Sequence, residues 1–232
     1  STSRGLGDVY KRQNYYDGQG FLVPKKLNVK SAKQLNGATI CVQSGTSSEP
    51  SVADYFKSHG MKYKAVLFDT TEATQGAFLS GRCQVYTTDM SDLAGARTKA
   101  PNPDDYVILP EVISKDPLGP SVRRGDNEWF QIARWVLNAF IEAEEKGITQ
   151  ANADELRKTS TDPNVKRLLG SGEDMGKLLG LDKDWSYRIV KQVGNYGESF
   201  ERNLGPKKPL ALPRGINNQW TNGGILYAPP IR

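Results

Sequence analysis

ATICVQSGTSSEPSVADYFKSHG, residues 38–60, carries the main clue to the fold. ATICVQSG is a short apolar run that ends at Gly45, which is the pattern of a buried strand. TSSEPSVADYFKSHG follows at once with Val52, Tyr55 and Phe56 on one helical face, so a helix is expected to end near His59 and Gly60. Thr46 and Glu49 have the spacing of a capping box, and Pro50 falls in the first turn. A strand that breaks directly into a helix is the opening of a βαβ unit.

The same rhythm extends outward over residues 20–118. GFLVPKK is a short apolar run ended by Pro24, and KAVLFD, CQVYTTD and YVILPEV read as the second, third and fourth strands. AKQLNG reads as a helical turn, and TEATQGAFLSG and MSDLAGARTKA as helices. Strands alternating with helices predict a mainly parallel sheet flanked by helices. Beyond residue 119 the character changes. NEWFQIARWVLNAFIEAEEKG is a long amphipathic helix with Trp129, Ile132, Ala133, Val136, Leu137, Phe140 and Ile141 on its apolar side. Short helices broken by Gly and Asp-Pro follow, then a Pro-, Gly- and Asn-rich tail from Gly205. This half has no strand series of its own.

Composition narrows the function classes. The chain has 232 residues, 37% hydrophobic and 25% charged, with a formal net charge of +5. Its basic residues are scattered in pairs such as Lys25-Lys26, Arg123-Arg124 and Lys207-Lys208, without the clustering that nucleic-acid binding needs. No apolar run reaches the length of a membrane span. One histidine and two cysteines, at 59, 41 and 83, contain no close ligand pair for zinc. GTSSE lacks the patterns of a phosphate loop and of a nucleophile elbow.

Two places can carry recognition chemistry. At Thr46–Ser48 the free N–H groups and hydroxyls of a helix start suit a carboxylate or phosphate, though a well-capped helix explains the same residues. At Asp89 the third strand turns into its helix, where an N-cap aspartate is the plain alternative. The strands before these two turns are expected to be neighbours, so both turns face the crevice where open α/β sheets bind ligands. Donors for a carboxylate beside an acceptor for an ammonium describe a receptor for a zwitterion.

At this point the chain resembles a known family. SAKQLNGATICVQSGTSSE (31–49), GRCQVYTTDMSDL (81–93) and PLGPSVRRGDNEW (117–129) resemble the polar amino-acid-binding proteins of ABC transporters. NPDDYVILPEVISKDPLGP, VGNYGESFERNLG and GGILYAPPIR narrow the likeness to periplasmic general L-amino-acid-binding proteins of proteobacteria. It runs from Asn14 to Arg232. The resemblance implies an α/β, two-lobed type II periplasmic binding protein whose lobes close about a hinge on an amino acid. It implies a complete second lobe over 22–118, with the end of lobe 1 and a first hinge strand at 14–21. A second hinge strand and the C-terminal helical part of lobe 1 are expected over 119–232, with chain crossings near Gln19–Leu22 and Leu118–Val122.

Carried over by motif, Ser47 binds the ligand carboxylate, flanked by Thr46 and Ser48. Asp89 accepts from the α-ammonium, and Gln43 lines the pocket. The implied partners are an L-amino acid and a membrane permease. No cofactor, metal, catalytic residue or nucleic acid is expected, and the full-length protein is expected to be monomeric, periplasmic and not membrane-embedded. Cys41 and Cys83 lie on strands expected to be neighbours, and the implied export to an oxidising space predicts a disulfide; two buried thiols are the alternative.

The resemblance also implies about a hundred residues before Asn14, including a signal peptide and a carboxylate-binding arginine. Residues 1–13 do not resemble the family. DVYKRQ (8–13) reads as a translated sequencing adaptor, so a truncated chain with weak binding is expected. A dehydratase-like enzyme or an effector-sensing domain on the same fold are the rival readings. The former needs a general acid or base, for which Asp89 is the one good candidate.

Overall fold

The computed structural model describes residues 13–232, together with the backbone of 9–11. In chain order the strands are β1 (Val9–Lys11), β2 (Tyr15–Asp17), β3 (Gln19–Pro24), β4 (Thr39–Gln43), β5 (Lys64–Phe68), β6 (Val85–Asp89), β7 (Tyr106–Ile108), β8 (Asp116–Leu118) and β9 (Ser121–Arg123). The α-helices are α1 (Ser48–Ser58), α2 (Thr71–Leu79), α3 (Met90–Thr98), α4 (Asn127–Glu145), α5 (Ala153–Thr159), α6 (Pro163–Leu168), α7 (Trp185–Val193) and α8 (Tyr196–Asn203). The chain divides into two compact units. The described part of the first is Tyr15–Leu118, and that of the second is Gly119–Arg232 with the segment ending at Asn14.

The first unit is built on a five-stranded sheet in the order β5-β4-β6-β3-β7. β4 pairs in parallel with β5 and with β6, and β3 runs antiparallel to both β6 and β7. Four strands therefore run one way and β3 opposes them, close to the mainly parallel sheet expected. Its apolar residues fill two clusters. One gathers Phe21, Val23, Ile40, Val52, Phe56 and Val85; the other gathers Leu22, Cys41, Phe78, Tyr86 and Leu93. Alternation along β3, with Phe21 in one cluster and Leu22 in the other, follows from the two-residue period of a strand buried on both sides.

The helices form where expected. α1 buries Val52 and Phe56, one turn apart. Its C-cap is His59, whose ring lies 4.3 Å from that of Tyr55. α2 is capped by Thr70, whose hydroxyl accepts from the Ala73 N–H at 3.1 Å. α3 sits close on β3, because a Cβ at Gly20 would collide with Met90 Sδ. Cys41 and Cys83 form a disulfide with a Cα separation of 5.6 Å. Cys83 stands just ahead of β6 rather than within it.

Two boundaries differ from expectation. Gln19–Leu22 is not a crossing segment: it lies inside the sheet, paired to Tyr86–Asp89, and the unit begins at Tyr15. The apolar run Gly20–Val23 is continuous because both of its sides are buried, a pattern that periodicity alone does not distinguish from the end of a connecting strand. Val9–Lys11, placed in the extraneous leader, pairs antiparallel with Ser121–Arg123. Residues 1–8 and 12 lie outside the described residues.

The second unit is organised by α4, whose Asp126 cap accepts from the Trp129 N–H at 3.0 Å. The last turns of α4 supply Ala139 and Ala143 to a core with Ile148, Leu168, Leu169, Trp185, Val190 and Ile231. Its first turns are less buried, and Trp129 is 56% exposed. The tail is a packed coil tied by buried polar groups. The Ile231 N–H donates to Glu142 Oε2 at 3.1 Å, and Arg167 Nε donates to the Ile231 carbonyl at 3.0 Å. Arg214 makes a two-pronged pair with Glu144 at 2.8 and 3.0 Å. Gln219 Nε2 donates to the Ile141 carbonyl and to Glu144 Oε2.

Candidate functional site

β5-β4-β6 is a reversal of strand order: the chain leaves β4 for one neighbour through α1 and β5, then returns past it through α2 to the other. At such a switch point the connections diverge and leave a crevice outside the carboxyl ends of the two central strands. Here those ends are Gln43 on β4 and Asp89 on β6. A separate cleft, lined in part by Pro24, Lys25, Gly81 and Tyr106, opens at the opposite end of the sheet, where the parallel strands begin.

The turn after β4 differs in detail from the capping box expected. Gly45 takes φ 69°, which favours glycine and lets the chain reverse into α1. The N-cap residue is Ser47, and no side chain caps the helix. Thr46 instead donates its hydroxyl back to the Gln43 carbonyl at 2.8 Å, and Glu49 accepts from the Gly45 N–H at 3.2 Å. The box fails because both side chains tighten the turn rather than cover the helix start. As a result, the hydroxyls of Ser47 and Ser48 donate to no described residue. The α1 N-terminus keeps donors for an outside partner, with the helix dipole favouring an anion.

Asp89 stands at the N-cap of α3, yet its side chain makes no capping bond. Its carboxylate is half-buried. Burial, followed by the negative charges of Asp116, Asp17 and Asp92, pushes its pKa from 3.8 up to about 6. The neighbouring carboxylates are themselves anchored. Asp17 accepts from the Ser91 hydroxyl at 2.5 Å and the Gly18 N–H at 2.8 Å, and Asp116 accepts from the Ser114 hydroxyl. Asp89 is thus an acid in a negative field, an arrangement that a docked cation would relieve.

Gln43 stands at the strand end as expected, but both ends of its amide are engaged. Nε2 donates to the Asp69 carbonyl at 3.2 Å, and Oε1 accepts from the Thr71 hydroxyl at 2.9 Å. It braces the rim. Sequence reasoning missed Gln19, whose buried amide reaches both Ser48 and Thr87. A lone Gln before an apolar strand gives no signal of that role.

Two compact units, one of them an open α/β sheet with a switch point between β4 and β6, joined by a chain that passes between them twice, define the class of two-lobed type II periplasmic binding proteins. Comparison with known proteins narrows the class. The chain is 54% identical over 229 residues, 98% of its length and 67% of the relative's, to the general L-amino acid-binding periplasmic protein AapJ of Rhizobium johnstonii. It is 53% identical over 219 residues, 94% of its length and 65% of the relative's, to the glutamate/glutamine/aspartate/asparagine-binding protein BztA of Rhodobacter capsulatus. Among solved structures, an ABC transporter periplasmic binding protein from Brucella ovis with glutathione bound matches with a TM-score of 0.93 and 50% identity, covering 100% of this chain and 74% of that one. No family model matches the chain. The chain belongs to the family of periplasmic amino-acid-binding proteins of ABC transporters, a family of solute-binding proteins rather than enzymes. It spans about two thirds of the length of these relatives. Among the described residues, no helix is long and apolar enough to cross a membrane.

Proposed function

We propose that the first unit recognises the backbone of an L-amino acid at the crevice between β4 and β6, and that the protein hands this ligand to a membrane permease from the periplasm. The α-carboxylate lies at the N-terminus of α1, bound by the Ser47 N–H and hydroxyl with Thr46 and Ser48 on either side. The α-ammonium lies on Asp89. Gln43 holds the rim from behind. The observation that carries this reading is Asp89 itself, a helix-cap residue without a capping bond, set among Asp17, Asp92 and Asp116. A carboxylate in that field gains most from a cation, and a helix start next to it excludes a second one, which together select a zwitterion.

Titration calorimetry with L-glutamate and L-glutamine on the full-length parent protein tests the reading. Asp89→Ala leaves a desolvated ammonium unpaired and is expected to weaken binding by about 2–5 kcal/mol. Near-native affinity in that variant removes Asp89 from the site. The Brucella ovis structure favours a second ligand class, γ-glutamyl peptides, because glutathione carries a free α-amino and α-carboxyl group at its glutamyl end. Competition between glutathione and L-glutamate on this protein distinguishes a shared site from separate ones.

A further inference from the structure

Gln19 is 1% exposed on β3 and stands opposite Asp89 in the strand register. Its Nε2 donates to the carbonyl of Ser48, the first residue of α1, at 3.0 Å. The same nitrogen donates to the Thr87 hydroxyl, two residues before Asp89, at 2.8 Å. Thr87 passes its own proton to the Gly20 carbonyl at 2.7 Å. The Gln19 main chain is tied as well. Its N–H donates to Ser114 Oγ at 2.9 Å, Ser114 donates to Asp116, and its carbonyl accepts from the Ile113 N–H at 2.8 Å.

The side chain is not there for packing alone. The Ser48 carbonyl can only accept, so the amide nitrogen must face it. That leaves Oε1 buried without a partner. A buried acceptor left unpaired is costly, and an apolar residue of similar size would fill the space without that cost. The two bonds of the nitrogen are therefore what distinguishes Gln19 from a leucine or methionine here, and both run to the poles of the proposed site.

We propose that Gln19 is the positioning residue of the binding crevice: its amide fixes the separation between the α1 N-terminus and Asp89, and so the geometry in which carboxylate and ammonium are held together. The inference rests on the assignment of those two poles. Gln19 itself touches no ligand atom. It acts through Ser48 and Thr87.

The test measures L-glutamate affinity by calorimetry and thermal melting in parallel, on Gln19→Leu, Thr87→Val, Thr87→Ser and, as a control for the site itself, Asp89→Ala. Gln19→Leu and Thr87→Val are expected to weaken binding by about tenfold in protein that is fully folded at the temperature of measurement. Thr87→Ser keeps the hydroxyl and is expected to stay within about twofold of the unmodified protein. If Gln19→Leu does not fold, the Thr87→Val and Thr87→Ser pair decides alone, since valine matches threonine in shape. Unchanged affinity in Gln19→Leu and Thr87→Val, with only the melting temperature lowered, overturns the inference while Asp89→Ala still weakens binding strongly. Undiminished affinity in Asp89→Ala instead overturns the site assignment, and the inference with it.

Discussion

The rim of the first unit and the tail of the second treat polar groups in opposite ways. Where the tail meets α4, Glu142 and Glu144 of the helix and Arg214 and Gln219 of the tail are buried or nearly so, and each is joined to a specific partner. At the rim, Ser47 and Asp89 occupy the cap positions of two helices and cap neither. The tail has a long, irregular stretch of backbone to fix, and buried hydrogen bonds fix it. The rim has regular elements that hold themselves, so its end groups remain free for something else. The contrast separates polar residues that stabilise the fold from the rim residues that we propose recognise the ligand.

A large effect is expected from breaking this contrast in the tail. Arg214→Ala leaves the largely buried Glu144 carboxylate with only the Gln219 amide as partner, and is expected to lower stability by about 2–3 kcal/mol. Urea denaturation measures this. Ligand affinity in the remaining folded protein should be unchanged, and a parallel loss of affinity would join two regions that the contrast keeps apart.

The disulfide is of similar weight. Cys41 and Cys83 are 42 residues apart and both buried, so Cys41→Ala with Cys83→Ala is expected to cost about 2–4 kcal/mol in the same assay. It ties the middle of β4 to the segment just ahead of β6, away from the carboxyl ends of those strands, so affinity is again expected to hold.

Smaller effects sharpen the contrast within the rim itself. Ser47→Ala removes one hydroxyl donor and should weaken L-glutamate binding by about 1 kcal/mol with little change in melting temperature. Gln43→Ala should do the reverse, lowering stability by about 1 kcal/mol through loss of the bonds to Asp69 and Thr71 while affinity changes little.

Much of the first unit was legible in the sequence because its signals are local. Val52 and Phe56 mark one helical face, Gly45 marks the reversal, and the apolar runs of β4, β5 and β6 mark strands. The position of Asp89 was legible because CQVYTTD reads as a strand and MSDLAGARTKA as the helix that follows it. What could not be read depends on contacts distant in sequence. The Thr46–Glu49 capping box was plausible by spacing, but the turn drew both side chains elsewhere. Gln19 lies 29 residues from Ser48 and 68 from Thr87, and nothing in its neighbours announces either bond. The antiparallel course of β3 was hidden for the same reason: a strand buried on both sides shows no direction in its composition.

The central claim is that Asp89 waits for an ammonium. Without ligand its pKa is raised to about 6, so around pH 5 it is largely protonated. A bound ammonium stabilises the ionised form and lowers that pKa, so the free protein holds more protons than the complex. Affinity should therefore rise with pH up to about 6 and level off above it, and binding should release a proton in the lower range. Calorimetry of L-glutamate binding near pH 5, repeated in buffers of different ionisation enthalpy, counts that proton directly. The account predicts release of roughly one proton per ligand near pH 5 and almost none near pH 8. The same heat in every buffer at pH 5, meaning no proton exchanged, would contradict it.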